Sequence, residues 1–208
     1  MADSHAVTEP AAAPAHDEHA TTLGLDHRKL GIWAFLGSEC LFFGSFISTY
    51  LLYHRRTNGG PGVELFDIPY TSVSSFVLLM SSLTMVLAHS AIVRGDQRKL
   101  RIWLLATAFL GLTFVGGQAF EFTTFVKEGL ALTTSPFSTS FFVLTGFHGA
   151  HVTVGILFLL SLVSLSKLGR LGPESDGALR VELIGLYWHF VDVVWIVIFT
   201  VVYLIPSS

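Results

Sequence analysis

At 208 residues, with 51% hydrophobic and only 13% charged side chains and a mean hydropathy of +0.63, the chain is too apolar for a soluble domain. Its net charge of −3 leaves no nucleic-acid footprint, and the single Cys40 rules out an intrachain disulfide. The composition implies one polytopic membrane domain, in which Cys40, lying within an apolar run, is expected to be a small buried residue.

Residues 1–24 are rich in Ala, Pro, His, Asp and Glu and contain no apolar core followed by a small-residue cleavage site. They are expected to form a disordered tail rather than a signal peptide, with residues 25–208 as the membrane domain. His5, His16 and His19 are scattered through this polar tail, and no specific metal binding is expected of them.

Five apolar runs follow, at about 30–52, 72–93, 102–124, 138–164 and 183–205, each long enough to cross a bilayer core as a helix. Turn chemistry separates them: Asn58-Gly59-Gly60-Pro61-Gly62, Gly95-Asp96, Ser135-Pro136 and Gly172-Pro173. No β-alternation competes, so the expected fold is all-α, a bundle of five transmembrane helices. The cationic residues are strongly asymmetric. Arg28, Lys29, Arg94, Arg98, Lys99, Arg101, Lys167, Arg170 and Arg180 fall on one side, nine in all, against Arg55, Arg56 and Lys127 on the other. The positive-inside rule then places the N-terminus in the cytoplasm and the C-terminus outside.

Ionisable residues inside these runs carry most of the information, because each would cost several kcal/mol against lipid and must face protein. In the fifth run His189 and Asp192 share a helix face, which continues through Glu182, Gly185, Ile196, Phe199 and Tyr203. In the fourth, His148 and His151 share a face with Thr145 and Gly155, while Gly146 and Ala150 make a small-xxx-small pair suited to close helix approach. In the first, Glu39 lies among Phe35, Phe42, Phe43, Phe46 and Tyr50. At about 1.5 Å of rise per residue, Glu39, His148, His151, His189 and Asp192 all fall about 9 to 15 Å from the cytoplasmic face. Secondary polar positions lie on the other helices: Ser75, Ser82 and His89 on the second, Gln118 and Glu121 beside Phe114 and Gly117 on the third.

By chemistry alone, three readings of this set stay open. The groups can bind helices together by mutual hydrogen bonds, converge on a metal ion, or pass protons. No spacing matches a zincin, a deaminase or a di-iron carboxylate protein, and there is no phosphate loop, nucleophile elbow or Cys-x-x-Cys. No catalytic residue and no metal ligand is therefore expected on this chain.

Three motifs carry a family resemblance: Ser38-Glu39-x-x-Phe42-Phe43, Phe147-His148-Gly149-Ala150-His151-Val152 with Gly155, and Trp188-His189-Phe190-Val191-Asp192-Val193-Val194-Trp195. In this order, in apolar helices, they resemble subunit III of the haem-copper terminal oxidases, from about residue 28 to residue 205. The resemblance implies a bacterial plasma-membrane subunit of a proton-pumping cytochrome c oxidase that holds no redox centre itself. Haem and copper would sit in partner subunits, with subunit I in direct contact and subunit II and further subunits nearby. Glu39 matches the family's membrane-buried carboxylate, placed at or near subunit I. His148, His151, His189 and Asp192 match internal polar positions, expected to form one network holding helices four and five in register. The subunit would stabilise subunit I, support its proton uptake and hold structural phospholipid. Seven-helix members have two further N-terminal helices around a lipid-filled cleft; here a polar tail stands in their place, as in five-helix bacterial forms. The rival identities are the same subunit of a quinol oxidase or a nitric-oxide-reductase-associated homologue and, in another class, a free-standing transporter or proton channel. The absence of paired helix interruptions or inverted-repeat symmetry disfavours the last.

Overall fold

The structure, a computed structural model, describes residues 26–172 and 176–205. The expected N-terminal tail, with its three histidines, and Pro173 lie outside the described residues. Within them the chain forms five helices: α1 (His27–Tyr53), α2 (Ile68–Val93), α3 (Gln97–Lys127), α4 (Pro136–Lys167) and α5 (Gly177–Phe199). All five are long and apolar enough to cross a membrane.

The first four helices start before their apolar runs because polar side chains organise the first turn. Asp26 accepts from the Arg28 backbone N–H (2.8 Å), Asp67 from Tyr70 (3.0 Å) and Asp96 from Lys99 (2.9 Å), satisfying amides the helix leaves open. Ser135 and Ser138 bond each other reciprocally, a capping box with Pro136 in the first turn of α4. Between α1 and α2, Asn58 and Gly59 take positive φ (55° and 78°), and Gly95 does so (73°) in the tight turn into α3. The far end of α5 widens into a π-helical turn over Thr200–Leu204.

The core lies along α4 and α5. α2 packs against α3 and α5, α4 against α3, α5 and α1, and α1 chiefly against α4 and α5. Accordingly 44% of the α4 span is buried against 11% of the α1 span. The periphery of α1 corrects one expectation: Cys40 is exposed, because it points away from the bundle. The register of α5 is fixed by two tryptophans seven residues apart. Trp188 donates its indole N–H to Ser81 Oγ (2.9 Å) and Trp195 to Ser75 Oγ (2.8 Å), so α5 runs antiparallel along α2. Trp188 also lies between Gly111 of α3 and Gly155 of α4, where a Cβ would come within 2.5 and 2.9 Å of its ring. At one end of the bundle, Arg28 pairs with Asp176 (2.6 Å) and Lys29 with Glu182 (2.7 Å), joining α1 to the start of α5.

Candidate functional site

Glu39 and the four polar residues expected to form one network, His148, His151, His189 and Asp192, separate into three groupings. The first joins α1 to α4. Glu39 Oε2 stands 3.2 Å from His151 Nε2, at ion-pair distance, while His151 Nδ1 bonds the Phe147 carbonyl (2.7 Å). A carbonyl only accepts, so Nδ1 carries the hydrogen of that bond, while Glu39 Oε2, buried beside Nε2, makes no hydrogen bond among the described residues. Phe42 and Phe43 flank the His151 ring at 6.0 and 5.0 Å, as the aromatic face of α1 implied. The pair opens on a groove of about 550 Å³ between α1, α4 and α5, otherwise lined by side chains such as Phe35, Phe147, Val154 and Tyr187.

His148 forms the second grouping, at the centre of the bundle. It is completely buried, stacked on Trp195 (4.9 Å) and edge-on to Phe114 (5.9 Å) and Phe43 (6.4 Å). Neither ring nitrogen has a hydrogen-bond partner among the described residues. One turn away, Gln118 donates to the Thr145 carbonyl (2.8 Å), and its Oε1 fills the space that a Cβ on Gly149 would need. Gly149 is therefore what lets α3 reach into α4 beside the two histidines. Gly146 faces open space, so the close approach expected at Gly146 and Ala150 is made instead at Gly149 and Gly155.

The third grouping joins α5 to α2. Ser82 donates to Asp192 Oδ2 and lies 2.9 Å from His189 Nδ1. His189 and Asp192 thus bind α2, and no hydrogen bond links them to His148 or His151 among the described residues. α4 and α5 are instead registered by Tyr187, which donates to the His151 carbonyl (3.0 Å), by the His148–Trp195 stack and by Trp188 seated on Gly155. Helix order explains the difference, since Asp192 shares with Trp188 and Trp195 the face of α5 that meets the α2 serines.

The secondary positions occupy the two ends. Glu182 is held by Lys29, and His89 lies in the same α2–α5 groove as His189. Glu121 is buried at the opposite end, where it accepts from Thr71 (2.9 Å) and from Tyr203 (3.4 Å) on the π-helical turn. Of the serines that receive the two indoles, Ser75 belongs to the polar face of the second run, whereas Ser81 lies outside it. Their signal was there, tryptophans at 188 and 195 and serines at 75 and 81, but pairing them requires knowing that α2 and α5 are neighbours. Among the described residues no three His, Cys, Asp or Glu side chains converge to hold a metal ion.

Comparison with known proteins matches residues 6–207 to the family described as cytochrome c oxidase subunit III. Similar chains include the cytochrome c oxidase subunit 3 of Bacillus sp. (strain PS3), 42% identical over 192 residues and 92% of each chain. The quinol oxidase subunit 3 of Bacillus subtilis (strain 168) is 44% identical over 84% of this chain and 85% of its own. The cytochrome bo(3) ubiquinol oxidase subunit 3 of Pseudomonas aeruginosa is 36% identical over 100% of this chain and 95% of its own. With the family's match running almost from end to end and the glutamate and histidine motifs seated where α1, α4 and α5 meet, the chain belongs to the cytochrome c oxidase subunit III family: it is a subunit of a haem–copper oxidase complex, crossing the bacterial plasma membrane five times.

Proposed function

We propose that this chain is the non-redox accessory subunit of a proton-pumping cytochrome c oxidase. It stabilises the catalytic subunit and supports its proton uptake as oxygen is reduced to water, with haem and copper held by partner subunits. The observation that carries this reading is the Glu39–His151 pair, a carboxyl and an imidazole 3.2 Å apart inside the span on the wall of an apolar groove. Such a pair sets ionisable side chains inside a membrane complex, where they are costly unless they serve a path or a partner. The groove suits the acyl chains of a structural phospholipid. The N-terminus lies in the cytoplasm, a reading that rests on the excess of Lys and Arg at the end of the bundle where α1 and α5 begin.

The test compares the purified oxidase with and without this chain, and with Glu39→Gln. Removing the chain should slow proton uptake and shorten the number of turnovers before inactivation. Glu39→Gln should reproduce the slower uptake while the subunit stays bound. Unchanged uptake and lifetime in the complex lacking the chain would overturn the proposal. A second reading, subunit III of a quinol oxidase, is favoured by the similarity to the Bacillus subtilis and Pseudomonas aeruginosa chains. Oxidation of reduced cytochrome c, but not of a quinol, by the purified complex selects the first reading.

A further inference from the structure

The first half of α1 is held to the bundle differently from the second. Its fully buried residues, Leu36, Phe43 and Tyr50, recur every seven positions, so α1 meets α4 and α5 along one narrow seam. Beyond Leu36 the seam is aromatic. Phe43 lies 5.0 Å from the His151 ring and Phe46 stacks on Phe147 (5.2 Å), while Tyr50 packs on Phe137 (6.0 Å) and donates to the Val202 carbonyl (3.5 Å). Before Leu36 no side chain of α1 is fully buried. The groove of about 550 Å³ lies at this level, lined by Ile32 and Phe35 of α1, Val154 and Phe158 of α4 and Ile184 of α5.

Charge, and not packing, fastens the tip of this half. Arg28, also bonded to Asp26, makes two bonds to the Asp176 carboxylate (2.6 and 3.1 Å), and Lys29 bonds Glu182 (2.7 Å). All four side chains are between a third and a half exposed, so each pair is screened by water and salt and holds only modestly. Between this latch and the aromatic seam the helix carries Gly37-Ser38. A Cβ at Gly37 would meet nothing within 4 Å, so packing does not demand the glycine, and Ser38 Oγ bonds the Phe35 carbonyl (2.7 Å). Glycine weakens a helix interior, and a glycine beside a serine is a common place for one to bend.

We propose that residues 27–37 of α1 form a hinged arm, latched to α5 by Arg28–Asp176 and Lys29–Glu182, that swings on Gly37-Ser38 and opens the groove beside Glu39. Lys29 lies about 12 Å from the hinge, so a bend of about 20° moves the tip about 4 Å and parts both ion pairs. Phe43 and Tyr50 keep the second half of the helix seated meanwhile. Opening widens the route by which an apolar molecule in the surrounding leaflet reaches the groove. The latch thereby sets how often the Glu39–His151 pair meets what the groove admits. That consequence rests on the reading of the pair as the subunit's working site, whereas the motion is a property of the bundle alone.

Spin-label distances in the intact oxidase, purified and held in lipid nanodiscs, test the arm. Spin-labelled p-acetylphenylalanine replaces Leu30 and Leu168, exposed at the latched end of α1 and α4, and, as a control pair, Leu52 and Leu132 at the other end. In low salt the Leu30–Leu168 distance should be narrowly distributed. At about 1 M salt, where the screening length falls to about 3 Å, a second distance should appear, shifted by about 4 Å. Lys29→Glu should enlarge its share about threefold, the measure of one exposed ion pair. Lys29→Glu combined with Glu182→Lys should restore the wild-type distribution, and Gly37→Ala should suppress the second distance at high salt. One unchanged Leu30–Leu168 distribution in every variant and at both salt concentrations overturns the arm and leaves the oxidase assignment, which the haem content of the same preparation decides separately. Equal movement of the Leu52–Leu132 pair shows the whole helix loosening and overturns the hinge as well.

Discussion

Trp188 shows how single atoms set the packing. Its ring fills the space left by Gly111 and Gly155, and its indole N–H is satisfied by Ser81, so one side chain of α5 touches α2, α3 and α4. A methyl group at Gly111 or Gly155 would push against a fully buried ring that has nowhere to move. Gly111→Ala should therefore destabilise the bundle by about 1–3 kcal/mol, seen as a lower unfolding temperature of the purified complex. Gly116→Ala, where a Cβ meets nothing within 4 Å, should leave that temperature unchanged or raised. Ser82 is the second sensitive residue, since removing its hydroxyl strands both His189 and Asp192. Ser82→Ala should cost about 1–3 kcal/mol and Ser82→Thr much less, measured in the same melting assay. The identities of Glu39, His148, His151, His189 and Asp192 were legible in the sequence because ionisable groups at helical spacing stand out in an apolar run. Their partners were not legible, because the polar face that holds Ser82 points to no particular helix, and Gly149 to no particular side chain, until the neighbouring helix is known.

At the level of whole elements, the apolar runs located every helix but began a few residues inside it. Hydropathy reports the lipid-facing length, whereas the first turns of α1, α2, α3 and α4 are set by capping side chains outside it. The cap of α3 makes a pH prediction. The backbone N–H of Lys99, and then its ammonium group, hold the Asp96 carboxyl below the usual carboxylate range. A carboxylate lowered on folding stabilises the folded helix end above its unfolded value, and that contribution fades as pH falls through the folded value. Amide exchange in the first turn of α3, corrected for intrinsic rate, should be flat at neutral pH and rise below about pH 4. In Asp96→Ala it should be fast throughout. Equal protection in the wild type and Asp96→Ala at neutral pH would show that the cap does not hold this turn.

For the whole molecule, the order of helices matters more than any motif. The chain places α4 and α5 at the centre and leaves α1 at the edge, so the polar groups pair as α1 with α4 and α5 with α2 rather than as one network. That arrangement depends on long-range packing, which hydrophobic periodicity does not encode. The unequal loops do encode a direction across the membrane. After Cys40→Ser removes the native thiol, Arg98→Cys should be labelled by an impermeant maleimide only in inverted vesicles and Arg55→Cys only in right-side-out cells. The reverse pattern would invert the topology. The most direct test of the account as a whole is purification of the affinity-tagged chain from native membranes, with a visible absorption spectrum of the product and of the separated chain. Haem bands and larger oxidase subunits in fixed ratio with the chain, and no haem bands once it is separated, are the predicted result; a polypeptide recovered alone and colourless would contradict it.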